Sequence, residues 1–301
     1  MPRYALRLEY DGAPFCGWQR QDGLLSIQSV LEEAAAHVNG GEVPLVTAAG
    51  RTDAGVHAEA QVAHLDLATD LPPERVREAL NFHTRPHPVA ITGAAIVAPD
   101  WSARFSAIGR AYRYRILNRP ARPALEWGRV WHVKKRLDAA AMHEAAQGLL
   151  GRHDFSAYRA ASCQAKSPLR TLDRLDVTRL GDEIEIIAEA RSFLHHQVRN
   201  MVGTLAEVGY GRRPASWPRS VLLSADRAKA GQTAPPEGLV TGLEVSPDGM
   251  HLVITSEAGQ IQMRDQRQVT PPFTLGSFFE AVTSAAWSPD GLVLATGMES
   301  G

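Results

Sequence analysis

Cysteine is scarce in this chain: Cys16 and Cys163 are the only two in 301 residues. Two widely spaced thiols make neither a disulfide framework nor a four-ligand zinc site. They fit reduced thiols in a cytoplasmic protein. Long apolar runs are missing too. No stretch reaches the roughly 20 residues that span a bilayer. Met1 to Gly12 alternates apolar and charged residues, where a secretory signal would carry an apolar block. The expectation is therefore a cytoplasmic protein with no membrane association. Net charge is also small, at -1, but it is unevenly spread. Residues 236–301 hold eight acidic and two basic side chains, and the preceding 235 residues hold 25 acidic and 30 basic ones. A mildly basic body with an acidic tail permits contact between the body and a polyanion without requiring it.

What is present reads as alternating strands and helices. Tyr4, Leu6, Leu8 and Tyr10 fall on one side of a strand over Arg3–Tyr10. Ser26 precedes an apolar stripe of Ile27, Val30, Leu31, Ala34 and Val38 at helical spacing, and Gly40-Gly41 ends it. Further strands are expected over 43–47, 60–67, 89–97, 111–117, 171–178 and 183–190. Helices are expected from Pro73, after Asp138, over 194–208 and within 217–229. Short turns such as Gly181-Asp182 imply antiparallel neighbours, so the fold class is α+β with a mainly antiparallel sheet.

One loop carries chemistry. The strand at 43–47 leads into Gly50-Arg51-Thr52-Asp53-Ala54-Gly55-Val56-His57. Small residues allow close approach of backbone or ligand, and a single carboxylate, Asp53, stands among them. A nearby cation keeps a carboxylate ionised, fit to act as nucleophile or general base. Equally, Arg51 and Asp53 could form a turn-stabilising ion pair and do no chemistry. His57 and His64 match no common metal spacing and read as structural, so no metal is expected. Tyr112 and Tyr114 alternate with Arg113 and Arg115, which suits either an amphipathic strand or an aromatic surface for a base.

The loop closely resembles the catalytic loop of the tRNA pseudouridine synthases of the TruA type. Other strings support this in the right order. Glu9-Tyr10-Asp11-Gly12 with Gly17-Trp18-Gln19-Arg20-Gln21 resembles the family's N-terminal signature. Ala103-Arg104-Phe105-Ser106-Ala107 with Tyr112-Arg113-Tyr114 is similar to its second motif. Phe193-Leu194-His195-His196-Gln197-Val198-Arg199-Asn200 is similar to its third. Pro235-Pro236-Glu237-Gly238-Leu239 resembles the stretch before its last strand.

The resemblance implies an isomerase that turns uridine into pseudouridine in the anticodon stem-loop of tRNA (family positions 38–40). Asp53 would be the nucleophile. Tyr112, Arg51 and Arg199 would bind substrate, with Arg199 pairing to Asp53. It implies no cofactor, tRNA as partner and a homodimer. It also implies two similar α/β halves, 1–104 and 105–239, around one sheet. A tRNA-binding protein without catalysis is the alternative. A hydrolase is less suited, because no second carboxylate or metal cluster is evident near Asp53.

Residues 240–301 depart from that pattern. Ser246-Pro247-Asp248-Gly249 returns as Ser288-Pro289-Asp290-Gly291, each copy between strand-like segments. The spacing of the two copies is that of one propeller blade, and the segment resembles WD40 repeats. It is too short to close a propeller. It reads as a fusion product, a small appendage or an interaction module for a protein partner. The native last strand is in doubt, with Leu239–Val245 as its possible substitute.

Overall fold

The computed structural model describes residues 1–242 in full, and beyond them the backbone of five strand segments between 251 and 298. Chain order begins with β1 (Arg3–Tyr10), α1 (Ile27–Ala36), β2 (Thr47–Ala48), β3 (His57–Asp66), α2 (Pro73–His83) and β4 (Val89–Val97). It continues through β5 (Arg110–Leu117), β6 (Trp131–His132), α3 (Ala139–Gln147), β7 (Gly151–Asp154), β8 (Leu169–Leu180) and β9 (Glu183–Ala190). Then come α4 (Gln197–Gly209), α5 (Trp217–Ser224) and β10 (Leu239–Gly242). The remaining segments are β11 (His251–Thr255), β12 (Gln260–Asp265), β13 (Phe273–Ser277), β14 (Val282–Trp287) and β15 (Leu294–Met298).

Local signals explain several of these elements. In β1 the even-numbered apolar side chains are buried, as alternation demands. Ser26 caps α1 in a reciprocal capping box with Ser29. Pro73 opens α2 at a position where a missing N–H costs nothing.

One sheet carries the body, in the order β4-β1-β3-β10-β5-β9-β8-β7, with β2 added to β3 and β6 to β5. It is mixed: β10 runs parallel to β3 and antiparallel to β5, and β6 runs parallel to β5. Each side of β10 has its own core. Tyr4, Leu6 and Leu8 of β1 are buried with Ile27 and Leu31 of α1 and Val76 and Leu80 of α2. Tyr114 and Ile116 of β5 are buried with Met142 of α3 and Met201, Val202 and Leu205 of α4. Each such side chain stabilises the fold by about 1.5–3 kcal/mol. No helix among the described residues is long and apolar enough to cross a membrane.

Two expectations need correction. Residues 43–46 are not strand, and only Thr47–Ala48 pairs with β3. Val43 and Leu45 face solvent while Val46 is buried, so the apolar run does not share one covered face. The fourth helix begins at Gln197 rather than Leu194, because His196 takes a left-handed backbone just before it. β6 and β7 were not anticipated, being too short to show a period. The doubtful last strand is Leu239–Gly242, and it lies in the middle of the sheet, where no edge is left open on that side. Both Ser-Pro-Asp-Gly repeats lie outside the described residues. The described strands after residue 250 form one antiparallel three-stranded sheet, β11-β12-β13, and one hairpin pair, β14-β15.

Candidate active site

The loop bearing Asp53 is held from both flanks by main-chain bonds. Trp18 N donates to Thr52 O at 3.0 Å, Val56 N to Asp53 O at 3.2 Å, and Ala49 N to Val62 O at 2.8 Å. Gln61 Nε2 donates to Gly50 O at 2.9 Å. Beneath the loop, the buried Tyr10 hydroxyl shares a hydrogen bond with Thr52 Oγ1 at 2.8 Å. Two glycines let the N-terminal loop lie against this one. A Cβ on Gly12 would stand 2.0 Å from Val56 O, and Gly17, at φ +112°, bridges Asp53 with its Cβ position 2.7 Å from Thr52 O. No other residue fits either contact.

Opposite the loop stands the start of α4. His195 Nε2 lies 3.1 Å from Asp53 Oδ1. His196 Nε2 and Arg199 Nη1 each lie 3.1 Å from Oδ2. Arg199 is itself fixed by Nε donating to Ala234 O at 2.8 Å. Ser162 Oγ lies 3.2 Å from His195 Nδ1. When that hydroxyl donates, the imidazole proton sits on Nε2, facing Asp53. His196 occupies the N-cap position at φ 61° and ψ 6°, and its side chain makes no cap bond. A left-handed non-glycine residue costs about 1–2 kcal/mol. Its ring points to the carboxylate instead of the helix.

Burial pushes the Asp53 carboxyl up, but His196, His195 and Arg199 outweigh it, and the net shift is below the usual carboxylate range. Asp53 is therefore ionised at neutral pH. Its side chain keeps 22% of its exposure, so a ligand can reach it.

Tyr112 of β5 completes the cleft. Its ring meets Phe193 edge-on, with centroids 5.1 Å apart at 85°. Burial raises its phenol above the ordinary tyrosine value, Asp53 adds to this, and Arg110 and a hydrogen bond with Thr241 act the other way. The phenol is neutral at rest. Thr241 lies opposite Tyr112 in the β10–β5 register, so the central strand supports the site directly.

The structure thus brings Asp53, Tyr112 and Arg199 together. It does not bring Arg51 to Asp53. Both carboxylate oxygens are taken by His195, His196 and Arg199, at and just before the start of α4, while Arg51 is exposed and has no partner among the described residues. The local ion pair allowed by the sequence is absent. Sequence reasoning missed three contributors. His195 and His196 stood in the quoted motif, but nothing local shows that a backbone turn aims both at Asp53. Arg110, just before the alternating tyrosines and arginines of β5, shows no local sign of its role. Its guanidinium reaches Ala49 O and donates to Arg191 O at 2.5 Å, tying the loop to the end of β9.

Several candidates prove structural. Trp18 is buried against Tyr10. Arg113 pairs with Glu59, and Arg115 pairs with Glu183 at 2.8 Å and Glu126 at 2.7 Å. His57 Nδ1 accepts from Gly12 N at 3.1 Å, and His64 Nδ1 from Ala103 N at 3.1 Å. Among the described residues, Asp53, His195 and His196 are the group whose ligand atoms lie close enough to hold a metal ion, within 4.8 Å of one another. The Arg199 guanidinium on the same carboxylate opposes a cation there.

A family model described as tRNA pseudouridine synthase matches residues 8–106 and 145–242. The second segment ends on the last residue of β10. Curated relatives agree. The chain is 66% identical over 242 residues to tRNA pseudouridine synthase A of Acidiphilium cryptum, covering 80% of this chain and 94% of that protein. It is 59% identical over 251 residues to the protein of the same name from Paramagnetospirillum magneticum, covering 83% and 97%. A third, from Rhodospirillum centenum, is 59% identical over 239 residues, covering 79% and 97%. With Asp53, His195, His196 and Arg199 all inside the matched residues, the chain belongs to the tRNA pseudouridine synthase family.

Proposed function

We infer that this chain is a tRNA pseudouridine synthase, an isomerase that converts uridine to pseudouridine in the anticodon stem-loop. The observation that carries the reading is Asp53, an ionised carboxylate held by His195, His196 and Arg199 and within electrostatic reach of Tyr112. Asp53 serves as nucleophile. A paired uridine must leave its stack to reach it, at a cost of a few kcal/mol. The Tyr112 ring replaces part of that stack. As a neutral phenol it can accept the C5 proton only after losing its own, so its resting role is stacking. Arg199 holds Asp53 charged and oriented. Arg51, exposed on the same loop, is free to contact RNA. Isomerisation exchanges one bond from C1′ for another and needs no redox partner.

The finer expectations are part of the same proposal. The body divides into halves 1–104 and 105–239, acts in the cytoplasm as a homodimer, and tRNA is its partner. Residues 240–301 would be an extension of WD40 type, with a protein partner as its one suggested use. The antiparallel backbone of β11-β12-β13 and β14-β15 supports an all-β character for it.

The test is direct. Unmodified tRNA is incubated with the protein, digested to nucleosides and assayed for pseudouridine, with the modified position then mapped. Pseudouridine confined to the anticodon stem-loop is the expected result, and none at all would end the proposal. Truncation after residue 245 tests the extension: a loss of activity would show that it serves the reaction.

A further inference from the structure

We propose that Phe105, backed by Arg104, is a stacking platform for an unpaired RNA base beside the target uridine. The proposal rests on the RNA reading above. Phe105 is 81% exposed. An exposed phenylalanine forgoes the burial that would stabilise the fold by about 1.5–3 kcal/mol, so its setting matters. The loop that carries it is firmly held. Ser106 N donates to Ser102 O at 2.8 Å, and Ser102 N to Ser106 Oγ at 3.1 Å. Ala103 and Ala107, on either side of the tip, are buried, and Ala103 N is tied to His64. The ring is therefore presented by a short closed loop, not by a loose end.

A positive charge stands against the ring. The Arg104 guanidinium carbon lies 5.6 Å from the Phe105 ring centre, and that ring is its one side-chain contact among the described residues. Arg110 links this tip to the catalytic loop: its Nη2 donates to Arg104 O at 3.4 Å and also reaches Ala49 O, four residues before Asp53. Arg191, whose carbonyl accepts from Arg110, has an exposed side chain near the same guanidinium bridge. Arg104, Arg170 and Arg191 are close enough to lower the Arg110 pKa by repulsion, after burial as the main cause.

An exposed ring with the exposed Arg104 guanidinium against it, and the exposed Arg191 near the Arg110 bridge, matches a nucleotide: phosphate oxygens for the arginines, a base face for the ring. Tyr112 cannot serve this second base, because it lies inside the cleft against Phe193. Stacking tolerates any base, so the platform would recognise an extruded or loop nucleotide without fixing its identity.

The test compares wild type, Phe105→Ala, Phe105→Leu and Phe105→Trp in the full chain. Steady-state tritium release is measured from tRNA labelled at uridine C5. A stem-loop RNA with 2-aminopurine next to the target reports stacking by its quenching. Phe105→Ala and Phe105→Leu should raise KM by roughly ten- to a hundredfold, with kcat changed far less. Both should lose the quenching, and Phe105→Trp should restore KM and quenching together. Wild-type KM and quenching in Phe105→Leu would overturn the proposal, since leucine is apolar but cannot stack. So would a Phe105→Ala protein that changes oligomeric state by light scattering while keeping wild-type KM per site, which would make this a protein contact. An inactive wild type is a different result and refutes the isomerase reading itself.

Discussion

Replacing Arg199 by alanine tests what holds Asp53 ready. Arg199 and His196 share Oδ2, while His195 takes Oδ1. A hydrogen bond to a charged group contributes about 1.5–3 kcal/mol. Asp53 is partly open to water, which can replace some of that, so the low end applies. Each 1.4 kcal/mol of lost transition-state stabilisation is tenfold in rate. Arg199→Ala should therefore slow kcat about tenfold or somewhat more. Arg199→Lys, with charge but no planar fork, should fall between the two. The pH profile gives an independent sign. Burial raises the Asp53 pKa and its three partners lower it by more, so the folded value lies below the unfolded one. Such a depression contributes stability above the unfolded pKa and loses it as pH falls through the folded pKa. Without Arg199 the depression shrinks. The acidic limb of kcat should move to higher pH, and Tm at neutral pH should drop. Single-turnover tritium release across pH and thermal melts provide both readouts. Wild-type rate and an unmoved acidic limb in Arg199→Ala would refute the reasoning.

Other residues separate further terms. Tyr112→Phe keeps the ring and should hold KM within about threefold, whereas Tyr112→Leu should raise it by roughly tenfold; equal KM values for the two would deny stacking. His196→Gly relieves a left-handed backbone worth about 1–2 kcal/mol but removes an Asp53 partner. It should melt higher than His196→Ala while both lose rate, and a Gly variant no more stable than the Ala one would contradict the strain. Gly12→Ala forces a Cβ to 2.0 Å from Val56 O. It should lower Tm and activity together, and an unchanged melt would show that the two loops are not packed as described.

Much of the body was legible because its signals are local. Ser26, Pro73 and the Gly181-Asp182 turn each act within a few residues, and the elements they mark are where the sequence puts them. Where spacing alone was misleading, a longer-range contact had decided. Val43 and Leu45 read as strand but have no sheet or core to meet. α4 starts late because His195 and His196 turn toward Asp53, a residue more than 140 positions away. β10 looks like a short apolar tail end, yet it joins β3 to β5 and puts Thr241 beside Tyr112. Within the site, Asp53, Tyr112 and Arg199 could be named from strings of residues. The Arg199–Asp53 pair was implied by the resemblance, but that His195 and His196 also close on Asp53 and leave Arg51 free was not, because those partners come from a distant turn.

The central claim is that the Asp53 carboxylate performs the isomerisation. Its most direct test is tritium release from tRNA labelled at uridine C5 by wild type and Asp53→Asn, which keeps shape and loses charge. The account predicts release by wild type and none above background by Asp53→Asn, with tRNA still bound. Release by Asp53→Asn at the wild-type rate would contradict it.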